Sequence, residues 1–415
     1  MLGKTVAVLA LAASCLVMGV PPSLAGSKST IAAATKAGWS ETDSNGAHSR
    51  ANPAEKVLTP VAVKRVTYLR SVTAPPTPPP APCSSGYVAA PLPYGGFLYA
   101  ITSGKLSKYN PATGRLIWRA KLNQETKYNT LAVSGNIVFV GGLDCISEST
   151  PTGIVYAINA STGARVWVSL PLGDEGPLND MVTVRSYVIT GGTNAAGYEF
   201  AVLNQSNGKQ VWAGGDPCGN NPTSPALVVH LLVMSYGCDS HGNETIQARN
   251  LATGAVAWSR TGNWTLQRGD SGTTGKHLYA TDPAGTVEDL NPLTGQVQHS
   301  LSRADQVLAV DTSRVYASCG SGGKYVCAYN LSTGALEWQD THLAFDFPTL
   351  AAEADGVLYL NIGIAVNAAT GKAITTIWGS ITLGSQPATA LAVGDGRIAV
   401  VTDPRIIDLY GLAGH

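Results

Sequence analysis

Tyr156-Ala157-Ile158-Asn159-Ala160-Ser161-Thr162-Gly163-Ala164-Arg165-Val166-Trp167 is the stretch on which the fold turns. The runs before and after its Thr-Gly pair suit strands, and the glycine supplies the positive φ that a tight hairpin demands. The phrase Asn-x-x-Thr-Gly-x-x-x-Trp returns as Asn110 to Trp118, Asn204 to Trp212 with Asn207 in the Thr place, Asn250 to Trp258 and Asn330 to Trp338. Two copies lack the final Trp, Asn291 to His299 and Asn367 to Thr375, and Asp408 to Gly414 aligns with Asp289 to Gly295 as the last.

The eight turn glycines, from Gly114 to Gly414, are spaced by about 43 residues, within the range of propeller blades. Each period holds two further strand-like runs, such as Thr130-Leu131-Ala132-Val133 and Ile137-Val138-Phe139-Val140 around Ser134-Gly135-Asn136. Four strands per period make one blade, lettered A to D from the axis outward, with the Thr-Gly turn joining C to D. The expectation is an all-β, single eight-bladed propeller of four-stranded antiparallel blades. Trp118, Trp167, Trp212, Trp258 and Trp338 fall on strand D, where each ring packs between blades while its N–H finds a backbone acceptor.

The chain ends where the last blade should begin strand D. Residues 66–72 have strand character and no hairpin partner beside them, so they are expected to close the ring. Residues 26–65 read as a mostly irregular lead-in, with Thr59-Pro60 starting one helical turn over Val61 to Arg65. Residues 73–82, rich in proline, form a stiff connector to blades spanning 83–415.

Of all residues 44% are hydrophobic and 13% charged, with 46 Gly, which favours short buried strands over amphipathic helices. Lys+Arg and Asp+Glu number 27 each, so no net field steers the protein to nucleic acid. Lys4, an apolar run to Val20 and Ser23-Leu24-Ala25 read as a signal peptide over 1–25, placing the chain in a secreted or cell-envelope compartment. Cys15 after Ala12-Ala13-Ser14 offers a weaker lipoprotein alternative, and no later segment offers a transmembrane span. The remaining cysteines, Cys83, Cys145, Cys218, Cys238, Cys319 and Cys327, are even in number and read as three disulfides. Cys319 with Cys327 would pin a B-to-C hairpin, Cys218 with Cys238 a blade's entry loop, and Cys83 with Cys145 the first two blades. All three would stiffen the face opposite the Thr-Gly turns.

The phrase from Tyr156 to Trp167 resembles the repeat of the pyrroloquinoline-quinone (PQQ) propellers. Trp39, His48 and Asn52-Pro53-Ala54-Glu55-Lys56-Val57-Leu58-Thr59-Pro60 resemble the lead-in of some secreted members. That family holds eight-bladed quinone-dependent alcohol dehydrogenases and a non-enzymatic outer-membrane assembly lipoprotein, so the resemblance implies the fold without choosing the function. Its dehydrogenases hold the quinone with an adjacent-cysteine disulfide, a stacking Trp and a calcium site of Glu, Asn and Asp. The present sequence has no Cys-Cys pair, and none of those calcium or catalytic residues can be placed on it.

Other motifs favour structural readings. Gly269-Asp270-Ser271-Gly272 resembles a serine-protease nucleophile phrase but has no matching upstream His. The seven histidines show no metal-ligand spacing, and Asp174-Glu175 with Asn179-Asp180 lacks the alternation of a calcium loop. Asn159, Asn204 and Asn330 open Asn-x-Ser/Thr triplets but serve turn hydrogen bonding.

The expected protein is therefore a monomeric, non-catalytic binding or scaffold propeller that recognises a protein or cell-envelope polymer through its disulfide-bearing loop face. No catalytic, cofactor-binding or metal residue is assigned. Trp264, Arg268 and Asp270, on or beside a D-to-A connection, form the candidate binding patch. The alternatives are a quinone-dependent oxidoreductase, for which alone PQQ and calcium would be needed, and a lipid-anchored envelope assembly factor.

Overall fold

β-branched and aromatic residues alternate along short runs punctuated by Gly, Asn and Asp, and among the described residues these runs fold into 33 strands and one short 3-10 helix, Ala62–Arg65. The computed structural model describes residues 45, 49–73, 90–102, 105–120, 122, 126–144, 152–169, 171–172, 178–194, 197–216, 225–238, 244–269, 275–341, 350–378, 388, 390–403 and 406–414. The signal segment, most of the proline-rich connector, Cys83, Cys145, Cys218 and Asp270 lie outside them, as does the side chain of Cys238.

Eight sheets, each built on a blade of four antiparallel strands and one of them extended by a short parallel fifth, form an eight-bladed propeller. Blades 1 to 7 cover 92–119, 126–168, 178–216, 226–260, 265–301, 304–340 and 351–376. Blade 8 joins Ala390–Gly394, Arg397–Asp403 and Ile406–Leu412 to the N-terminal strand Val66–Thr73. That strand is the outer member, paired antiparallel from Val66 opposite Leu412 to Thr73 opposite Ile406. Ring closure thus follows the sequence reading. Among the described residues no helix is long and apolar enough to cross a membrane.

The blades dock through the repeat phrase. Trp118, Trp167, Trp212, Trp258 and Trp338 donate Nε1–H to Ala160 O, Gln205 O, Leu251 O, Pro292 O and Ala368 O of the next blade, at 2.7–3.1 Å. Each ring lies flat on the next blade's turn glycine. A Cβ on Gly163 would come 2.9 Å from Trp118 in a backbone already at φ 73°, so both space and conformation require glycine there. Asn159 completes the turn by accepting from Ser161 N and Thr162 N at 2.9 and 3.0 Å.

A β-bulge precedes the Trp place in each blade. Ile158 lies opposite Arg165 and Ala157 opposite Trp167, so Val166 is the extra residue. The same slip recurs at Ile117, Val211, Ala257, Gln298, Glu337, Ile374 and Leu69. An inserted residue increases local twist and re-aims the side chain that follows, here onto the neighbouring blade.

The last copy corrects the sequence alignment. The bulge in blade 8 lies between Tyr68 and Arg70, opposite Tyr410 and Leu409, which puts Gly411 rather than Tyr410 in the Asn place. Gly414 is therefore not the equivalent of Gly163, because this C-to-D junction is a non-covalent pairing with no Thr-Gly hairpin to build. Arg70 takes the Trp slot, its Cδ 3.2 Å from a Cβ on Gly114 of blade 1.

Residues 49–65, the continuous described part of the lead-in, are tied into the ring. Ala51–Asn52 pairs parallel with the inner edge of strand A of blade 7, opposite Glu353 and Ala354. Leu58 and Val63 are fully buried in the apolar cluster of blades 1, 2, 7 and 8. The helical turn begins as its Thr-Pro signal implies, with Ala62 N donating to Thr59 Oγ1 at 3.1 Å.

Candidate binding face

Strand order places the A-to-B and Thr-Gly turns on one face and the B-to-C and D-to-A connections on the other. On that second face, blades 4 to 6 are the best described sector. It contains connection 261–264, turn 282–286, connection 302–303 and turn 320–324.

Strand A of blade 5, Thr265–Gly269, grips the inner strand of blade 6 with its side chains. Val307 N donates to Gln267 Oε1 at 2.6 Å, while Gln267 Nε2 donates to Thr281 Oγ1 at 2.6 Å and Asp305 O at 3.3 Å. Arg268 Nε donates to Val307 O at 3.2 Å. Two consecutive side chains therefore do between blades what a ladder does between strands. Gln267 carried no signal in the sequence, because a lone Gln in a strand reads as solvent-facing.

Cys319 and Cys327 are bonded, joining strands Arg314–Cys319 and Tyr325–Asn330 of blade 6. Both lie buried in the cluster formed with Tyr279, Leu301 and Val307. Above the bridge, Gly320 N donates to Arg303 O at 3.1 Å and Tyr329 OH donates to Ser302 O at 2.8 Å, tying the turn to the adjoining connection. Arg303, Asp305, Gln306, Ser321 and Lys324 then project as an exposed, mixed-charge rim over an anchored base.

The two described members of the sequence-derived patch, Trp264 and Arg268, are engaged in packing between blades. Trp264 is 7% exposed, packed with Leu266, Leu278 and Leu290 in the seam between blades 4 and 5. The Arg260 guanidinium covers its ring at 4.0 Å and also donates to Gly295 O. Burial holds the Arg260 pKa below its ordinary value, opposed by nearby Glu288. The connection 261–263 is short enough to press the aromatic ring into this seam, so its apolar area is spent on packing. Arg268 is half-buried and tied to blade 6, and Asp270 lies outside the described residues.

Sequence spacing also missed a buried pair at the opposite end of blade 5, His277 Nδ1 and Asp289 Oδ2, 2.7 Å apart. Burial raises the Asp289 carboxyl above its usual range, and the His277 contact counters part of that rise. Twelve residues separate the two, a spacing that only the B-to-C hairpin brings together.

Among the described residues no three His, Cys, Asp or Glu side chains converge as a metal site.

Comparison with known proteins gives a consistent picture of the fold. The profile of the PQQ-repeat family described as outer membrane protein assembly factor BamB matches residues 71–261 and 223–361, most of the chain. The crystal structure of BamB from Moraxella catarrhalis superposes with a TM-score of 0.56 at 19% identity, over 83% of this chain and 99% of that one. A quinohemoprotein alcohol dehydrogenase from Pseudomonas putida HK5 gives 0.64 at 14% identity, over 91% of this chain and 81% of that one. A tetrathionate hydrolase of Acidithiobacillus ferrooxidans is 28% identical over 167 residues, 36% of this chain and only 30% of that protein's own length.

Proposed function

The chain belongs to the PQQ-repeat propeller family described as outer membrane protein assembly factor BamB, and from that membership we propose a non-catalytic, extracytoplasmic binding propeller. It recognises a protein partner through the face of B-to-C and D-to-A connections. The observation that carries this reading is the rim of blade 6, where exposed Arg303, Asp305 and Lys324 stand on a base fixed by the Cys319–Cys327 bridge. A surface held rigid before contact loses little conformational entropy on binding. Mixed charges at such a rim select partners and register more than they add affinity. The family description also favours a role in envelope assembly, with lipid attachment at Cys15 as the form that this role would take.

Photo-crosslinking at Arg303 and Lys324, compared with Arg115 and Arg165 beside the Thr-Gly turns, tests the reading in the native envelope. The expected result is one discrete adduct from the first pair only. Equal or absent adducts from both pairs would overturn it. Dye reduction with alcohols after adding quinone and calcium would instead establish the oxidoreductase alternative, and a lipid-modified Cys15 in the intact mass would establish the anchored one.

A further inference from the structure

We propose that residues 49–60 form a pH-responsive strap, held across blades 6, 7 and 8 while the Glu353 carboxyl keeps its proton and loosened when it ionises. The strap is stitched to three blades. Val310 N donates to Ser49 O at 2.7 Å, Glu353 N to Arg50 O at 2.8 Å, and Tyr359 OH to Leu58 O at 3.2 Å. On blade 8, Asn52 Nδ2 donates to Val393 O at 2.8 Å, and Glu55 Oε2 accepts from Gly396 N at 2.9 Å. Apart from Tyr359 on strand B of blade 7, these contacts sit on the inner strands and A-to-B turns, so the strap spans three blades near the axis.

Glu353 lies under its centre, directly opposite Ala51 and 5% exposed. The groups facing it are mostly negative or neutral. Blade 6 contributes Asp311 and the Tyr316 phenol that donates to it at 2.6 Å, while blade 7 contributes Asp355 and Tyr359. The strap contributes Lys56, itself 3.6 Å from Asp355 and 70% exposed, and Glu55, which faces Tyr359. Gly356 N donates to Glu353 Oε1 at 2.8 Å. Burial first, and Asp311 second, push this carboxyl up to about 8.

The sign follows from linkage. Docked, Glu353 keeps its proton to about 8, whereas released to water it would keep it only to its ordinary 4.5. Docking is therefore strongest below about pH 4.5, weakens about tenfold per pH unit up to about 8, and is flat beyond. Ionising the buried carboxyl beside Asp311 and Asp355 drives the strap off because outward movement rehydrates the charge.

Hydrogen exchange of amides 49–58, corrected for intrinsic rates and measured from pH 5 to pH 9 on the full chain, tests the proposal. The expected loss of protection is at least about 100-fold between pH 5 and pH 8, while strand Leu231–Cys238 stays unchanged. Glu353→Gln should retain protection across the range. A flat wild-type profile, or the same slope in Glu353→Gln, would overturn the strap. Should Glu353→Gln fail to fold, Asp311→Asn decides: removing the neighbouring charge should move the loss to lower pH, and an unmoved midpoint counts against the proposal.

Discussion

On the Thr-Gly face five tryptophans repeat one contact, with indole N–H on a carbonyl and ring on a glycine, whereas on the opposite face the described connections 261–264, 282–286, 302–303 and 320–324 share no such repeated contact. The first face has a geometric task that is the same in every sector, so its residues are held to one solution. The second only has to return the chain to the next strand, which leaves its composition open for recognition. Repetition here marks what holds the ring together, and variation marks where a partner can be read.

The sharpest way to break this contrast is Trp167→Ala. It removes a ring packed on Gly208 and a hydrogen bond to Gln205 O, and should cost about 3–5 kcal/mol in urea unfolding. A cost below about 1 kcal/mol would mean the phrase is not what docks blades. Replacing Cys319 and Cys327 with Ser opens a loop of sequence separation 8 and should cost about 2.5 kcal/mol, with exchange rising in turn 320–324 before anywhere else.

A smaller gain is expected from Val229→Gly. Val229 sits at φ 61° in an A-to-B turn, a conformation unfavourable to a β-branched side chain, so the variant should stabilise by roughly 0.5–1 kcal/mol. Smallest of all, Arg303→Glu with Lys324→Glu should change stability by less than about 0.5 kcal/mol while abolishing partner crosslinking from a probe at the exposed Ser321 of the same rim. A large loss of stability there would make the rim structural and erase the difference between the faces.

The architecture was legible because its determinants are local and repeated. A Thr-Gly pair flanked by strand runs specifies one hairpin, and Val66–Thr73 stood out by having no hairpin partner of its own. The bulges were not legible, since one unpaired residue such as Val166 looks like any other strand residue until the partner strand is known. Trp264 misled for a related reason: it lies between two strands, which suggests a loop surface, but its ring folds back into the seam beneath Arg260. The hold of the ring on the lead-in, through Gly396 on Glu55 and Tyr359 on Leu58, depends on residues some 300 positions apart, which no short motif encodes.

Blade 8 is assembled from the two ends of the ring, and Ser71 reaches Asp408 across a sequence separation of 337. During synthesis, the strand made first must therefore wait, with its edge unsatisfied, until the last one emerges. Contacts of such long range are slow to form, and an open strand edge is an invitation to other chains. A cell making this protein at high concentration would need either a helper to shield that waiting edge or a rate of production slow enough for each ring to clasp itself first.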